Sequence, residues 1–155
     1  MRVAVVGFGG AGQEIVKAFA DRFDADIYVI SDLRNYELPF FDFSEFERLI
    51  STLSPYDYII LVAGLGGRGG EYLVEAARLL RNVAAIFVVW PLRIERARVA
   101  KAERQLSGLR GQVFVRRLDD YFEKVPGNKS LAEVLRAFDE EIAREIAMVL
   151  RELRQ

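Results

Sequence analysis

The sequence contains no cysteine and no histidine. Disulfides, thiol nucleophiles, zinc centres and every imidazole-based mechanism are thereby excluded. Neither sign of charge prevails: 22 basic residues face 23 acidic ones, for a net charge of −1. No electrostatic case therefore exists for binding DNA, RNA or an anionic membrane. No apolar run approaches the length needed to cross a bilayer. Met1 leads straight into strand-like residues, so no signal peptide is expected and a cytoplasmic location is. No linker, repeat or low-complexity tract interrupts the chain. Its 155 residues, 52% hydrophobic and 29% charged, suit one globular domain with a substantial core.

What the chain does have is glycine in two places. Nine of its twelve glycines fall in Gly7-Phe8-Gly9-Gly10-Ala11-Gly12 and in Gly64-Leu65-Gly66-Gly67-Arg68-Gly69-Gly70. Each run lies between an apolar segment and one with helical spacing. Glycine-rich turns of this kind let backbone N–H groups converge on an anion without interference from Cβ atoms. The helix that follows aims its positive end at the same point. Either loop alone could be tight strand-to-helix packing. Together they favour a nucleotide held by its phosphates.

The rest of the pattern is an alternation of strands and helices. Arg2 to Val6, Ile27 to Ile30, Tyr58 to Ala63, Ala84 to Trp90 and Gln112 to Val115 read as strands. They are continuously apolar rather than alternating, which indicates a parallel sheet covered on both faces. Helical spacing follows each glycine loop. Ser44-x-x-Glu47 is read as a capping box for a helix ending near Leu53, and a charged helix covers about Ile94 to Leu106. Ser130-x-x-Glu133 caps a long final helix. On that helix Leu131, Val134, Leu135, Phe138, Ile142, Ile146, Val149 and Leu153 form one apolar stripe. A single apolar face predicts a free-standing domain rather than a helix wedged between two domains. The aromatic stretch from Tyr36 to Phe46 is read chiefly as folding over the core, with a partner-binding patch as the lesser alternative.

Gly7, Gly9 and Gly12 satisfy G-x-G-x-x-G, and Asp32 ends the second strand about twenty residues on, where an acidic side chain would bind an adenosine ribose. Taken alone, this points to NAD or NADP. With both loops considered, the chain resembles the nucleotide-binding half of the FtsZ/tubulin family of GTPases, and FtsZ more than tubulin. Gly7 to Gly12 looks like that family's first phosphate loop, and Ala63-Gly64-Leu65-Gly66-Gly67 like the start of its signature loop. Trp90-Pro91 matches a strand end, Glu95 falls at a ribose-binding glutamate, and Ala102-Glu103 fits the helix after it. Asp139 falls where a side chain reads the guanine edge.

The resemblance implies a three-layer, Rossmann-like α/β domain over residues 1–155 that binds GTP or GDP, with or without Mg²⁺. It implies a phosphate and base site built from Gly7, Gly9, Gly10, Ala11, Gly12, Gln13, Gly64, Gly66, Gly67, Arg68, Gly69, Gly70, Glu95, Arg98, Leu135 and Asp139, with Asp32 beside it. Several positions depart from the family. Arg68 to Tyr72 replace Gly-Thr-Gly-Thr-Gly, so both threonine hydroxyls are lost and Glu71 places a carboxylate beside the presumed phosphates. Glu14 replaces an asparagine, Leu135 an aromatic that stacks on the base, and Leu118 an asparagine. Val99 stands where an arginine is expected, with Arg98 adjacent. No glycine occurs between Leu33 and Ala63, where the family has its γ-phosphate loop, and the family's acid loop after the last helix is expected to be lacking.

Three functions follow as expectations. The first is a guanine-nucleotide-binding protein with slow hydrolysis and no catalytic or metal-ligating residue of its own, connected to cell division or cytoskeletal filaments. The second is a degenerate interaction module that self-associates or binds a full-length FtsZ-like homologue. The third is an NAD(P)-binding Rossmann domain. Single residues keep bland readings too. Asp32 suits a strand end, Glu95 a first helical turn, Asp139 a solvated charged face, and Arg68 a solvated loop.

Overall fold

The computed structural model describes all residues except Asp21, Phe23, Asn35, Tyr36, Val125 and Pro126. Strand β1 (Val3–Phe8) runs directly into helix α1 (Gly9–Ala20), and β2 (Asp26–Ile30) follows. The short β3 (Phe40–Phe41) leads through a 3₁₀ turn at Phe43–Glu45 into α2 (Phe46–Leu53). Then come β4 (Tyr58–Gly64), α3 (Arg68–Leu79), β5 (Val83–Trp90), α4 (Arg96–Ser107), β6 (Val113–Arg117), α5 (Leu118–Lys124) and α6 (Leu131–Leu153).

The six strands form one sheet in the order β3-β2-β1-β4-β5-β6, and every pairing is parallel. This is the doubly wound α/β arrangement, in which ligands bind beyond the carboxyl ends of the central strands. Register decides what meets there. Phe8 pairs with Ile30 on one side and with Ala63 on the other, so the segments leaving β1, β2 and β4 emerge level.

One face of the sheet packs Val6, Leu61 and Ile86 under α2, α3 and α4 through Leu49, Leu53, Leu73 and Ala102. The other packs Val5, Ile60 and Phe87 under α1 and α6 through Ile15, Phe19, Ile142 and Ile146. The strands are buried on both sides because both sides are covered, which is why their sequences do not alternate.

Several expectations are corrected. The capping box lies two residues earlier than read: Asp42 accepts from Ser44 N at 3.0 Å and Glu45 accepts from Asp42 N at 3.0 Å, which opens the 3₁₀ turn instead of α2. Asp42 is favoured over Ser44 because its carboxylate accepts from both the Ser44 amide and its hydroxyl. Those bonds hold the Asp42 carboxyl below its ordinary range, the Ser44 hydroxyl contributing most. At α6, Ser130 caps Glu133 N at 3.2 Å as expected. The apolar stripe is shorter than read, however: Leu131 is 63% exposed and Leu135 37%, while Ala143 and Ala147 are buried in its place. Phe41 and Phe43 are buried and Phe46 packs against the same core, so the aromatic stretch folds inward. Tyr36, part of that reading, lies outside the described residues.

Candidate functional site

The first glycine loop has almost no length. Gly9, at φ +73°, turns the chain from β1 into α1 in one residue. Only glycine adopts that conformation readily. The second loop turns at Gly66, φ +91°, where a side chain would also strike the Arg98 carbonyl 2.6 Å away. The two loops touch. A methyl group on Gly9 would lie 3.2 Å from Gly69 Cα, and one on Gly69 would lie 2.7 Å from the Phe8 carbonyl oxygen. The N-termini of α1 and α3 therefore meet over the ends of β1 and β4.

Around this junction lies a cavity of about 450 Å³, lined by Gly9, Gly10, Ala11, Gly64, Leu65, Gly67 and Gly69, with Arg68, Arg98, Asp32 and Phe43 at its sides. The α3 N-terminus has no side-chain cap, since Gly67 occupies the cap position. Its first N–H groups have no partner within the helix. With the dipole of each helix added to the two guanidinium groups, the arrangement suits an anion. Arg68 lies 4.8 Å over the Phe43 ring, which itself stacks on Tyr72 at 4.5 Å. Arg98 lies 3.8 Å from Glu95.

The feared carboxylate is elsewhere. Glu71 forms an ion pair with Lys101 of α4 and is absent from the cavity wall. The loop is also braced from α4. Gln105, 7% exposed, accepts from Gly66 N at 2.7 Å and donates to the Gly67 carbonyl at 3.1 Å.

A second, larger cavity of about 890 Å³ lies between α1 and α6 and shares Gly10 and Ala11 with the first. Its apolar wall includes Ile15, Val89, Leu118, Leu135 and Phe138, and its polar groups are Glu14, Lys17, Arg136, Asp139 and Glu140. Burial, with the charge of Glu14 as a smaller cause, pushes the Asp139 carboxyl up to about 7. Perturbed carboxyl groups in clefts are characteristic of functional sites.

The residues named from sequence are thus distributed as follows. Gly9, Gly10, Ala11, Asp32, Gly64, Gly67, Arg68, Gly69 and Arg98 line the first cavity, and Leu135 and Asp139 the second. Gly7 and Gly12 serve close packing, because a methyl on Gly12 would lie 2.5 Å from the Val62 carbonyl oxygen. Gly66 and Gly70 shape the loop against α4. Gln13 is buried, and its Oε1 has no hydrogen-bond partner among the described residues. Glu95 accepts from Leu92 N at 3.0 Å and lines neither cavity. Val99 packs against the core, so the exposed Arg98 is the residue of α4 that reaches the cavity. Sequence reasoning missed Gln105, Lys101 and Phe43. A glutamine in a charged helix carries no local signal that it faces inward.

These features define a three-layer α/β domain with a six-stranded parallel sheet, and comparison with solved structures shows that the fold is FtsZ-like. An FtsZ from M. jannaschii, described as an empty dimer, superimposes with a TM-score of 0.75 at 18% identity over 94% of this chain. The chain spans about half of that structure's length, 53%. A short-chain dehydrogenase/reductase from Veillonella parvula in complex with NADP aligns at a TM-score of 0.47 and 14% identity, over 75% of this chain and 68% of its own, too loosely to bear on the site. No protein-family model matches the sequence. The chain belongs to the same family as an uncharacterized protein of Archaeoglobus fulgidus, which is 33% identical over 99% of this chain and 96% of that protein.

Proposed function

We propose that this protein binds a guanine nucleotide, its phosphates at the paired glycine loops and its base between α1 and α6. The observation that carries the reading is the contact of Gly9 with Gly69, which sets the starts of two helices at one cavity that shares Gly10 and Ala11 with a larger second one. Arg68 and Arg98 supply the charge that the lost threonine hydroxyls do not, and the pairing of Glu71 with Lys101 removes the obvious repulsion. At the base end, ionised Asp139 accepts from the adjacent N–H donors of guanine. Adenine offers no such pair of donors, which favours guanine.

Binding without rapid turnover is the expected behaviour. The carboxylate on the phosphate cavity wall, Asp32, is exposed at a strand end, and hydrolysis needs a group that fixes and activates water. A role on filaments, through self-association or an FtsZ-like partner, is part of this proposal and rests on the fold resemblance.

A dinucleotide is the second reading. It draws on Asp32 at the end of β2 and on the strand order, which is also that of dinucleotide-binding domains. Isothermal titration with GTP, GDP, ATP and NAD separates the two. Saturable binding of guanine nucleotides in preference to ATP and NAD supports the proposal. Binding of NAD alone favours the second reading, and no guanine-nucleotide binding at millimolar concentration overturns the first.

A further inference from the structure

We infer that Gln105 is the positioning residue of the second glycine loop, the side chain that holds its amides in a phosphate-binding arrangement; this rests on the nucleotide reading above. From Gly64 to Gly67 the loop has no polar side chain of its own, and α3 begins at a glycine that makes no side-chain cap. Such a segment has unusual conformational freedom and a high entropic cost of ordering. Its order is supplied from outside: Leu65 N–H donates to the Val89 carbonyl of β5 at 2.9 Å, and the glycines beyond it are held by α4. The buried Gln105 amide takes the Gly66 N–H with one end and the Gly67 carbonyl with the other, as a neighbouring strand would.

The consequence is directional. In a trans peptide the N–H and the carbonyl point to opposite sides. Fixing the Gly67 carbonyl on Gln105 therefore turns the Arg68 N–H away from α4. Gly67, Arg68 and Gly69 line the anion cavity and Gln105 does not. The brace also removes Gly66 N–H from the set of donors open to a ligand, leaving the α3 first-turn amides. Gly70 belongs to the same device: a side chain there would collide with the Gln105 carboxamide. Lys101, one turn earlier on α4, engages Glu71. One face of α4 thus both orients the donors and draws off the acid.

The test is calorimetric titration of guanosine, GMP and GDP into the wild type, Gln105→Met and Gln105→Ala, with a thermal melt of each. Methionine keeps the volume and removes both hydrogen bonds without opening a cavity, so it is the milder of the two changes, and the melts show which variant is folded. Because the loop touches phosphate and not base, guanosine affinity should stay within twofold while GDP affinity falls about tenfold, the scale of one or two lost hydrogen bonds. Gly70→Ala should weaken GDP similarly in the wild type and add little in Gln105→Ala. Unchanged GDP affinity in folded Gln105→Met, or equal weakening of guanosine and GDP, would overturn the assignment while leaving the nucleotide reading intact. Absence of GDP binding by the wild type would remove both.

Discussion

Glu14 of α1 and Asp139 of α6 share the wall of one cavity, and the charge of Glu14 adds to burial in raising the Asp139 carboxyl to about 7. Lys17 and Arg136 line the same space with the opposite charge, and Glu140 adds a third carboxylate to its wall. If guanine is read by the ionised carboxylate, binding below pH 7 must expel a proton. Affinity for GDP should then rise from pH 6 to 8, by up to about tenfold per unit below the midpoint and little above it. Asp139→Asn should flatten the profile, and Glu14→Gln should move its midpoint to lower pH. Titrations at three pH values check this.

The same group has an opposite effect on stability. Its carboxyl titrates higher in the folded chain than the ordinary value of 3.8, so between about pH 4 and 7 the folded state binds more protons than the unfolded one. Its contribution to stability therefore declines as pH rises through that window. Asp139→Asn should stabilise the protein at pH 8, by about 1–2 kcal/mol once solvent screening is allowed for, and the gain should shrink towards pH 4. Urea denaturation at the two pH values measures the difference.

Gly69 and Gly67 make a contrasting pair. A methyl at Gly69 meets backbone, the Phe8 carbonyl oxygen at 2.7 Å, whereas one at Gly67 meets nothing within 4 Å. Gly69→Ala should cost about 1–3 kcal/mol of stability and abolish GDP binding, because the loops must part. Gly67→Ala, at an extended φ of −128°, should fold normally. Thermal melts of the two variants with and without GDP suffice.

The Glu71–Lys101 pair is half-exposed on its acidic side, and pairs of that kind contribute about 0–1 kcal/mol. Since Glu71 faces α4, Glu71→Gln should change GDP affinity less than about threefold. A large gain on neutralisation would mean that the carboxylate reaches the phosphates after all.

Leu135 lies on the base cavity wall and is 37% exposed. Leu135→Tyr would restore a ring face for the base and should tighten GDP binding by about three- to tenfold, the value of one aromatic pair. The gain should be equal for guanosine, which calorimetry on both ligands would show.

The sheet was legible in the sequence because buried parallel strands have continuous apolar runs bounded by glycine and proline, as at Val3–Phe8 and Val83–Trp90. The two-residue β3 and the seven-residue α5 were not, being too short to establish a period. Helix α6 was placed from Ser130 and its apolar spacing, but Leu135 faces a cavity that no periodicity reveals, and Leu131 is exposed in the first helical turn. At the site, glycine loops announce themselves because turns at Gly9 and Gly66 demand positive φ. Gln105 and Lys101 act across 30 to 39 positions in sequence on Gly66, Gly67 and Glu71, which is tertiary information.

The central claim is that amides from both glycine-headed helices hold one phosphate group together. Titrating ¹⁵N-labelled protein with GDP and following amide resonances tests it most directly. Saturable shifts with a common affinity at Gly10, Ala11 and Gly12 and at Arg68, Gly69 and Gly70 are predicted. Shifts at one loop with the other unmoved, or none at either, would contradict it.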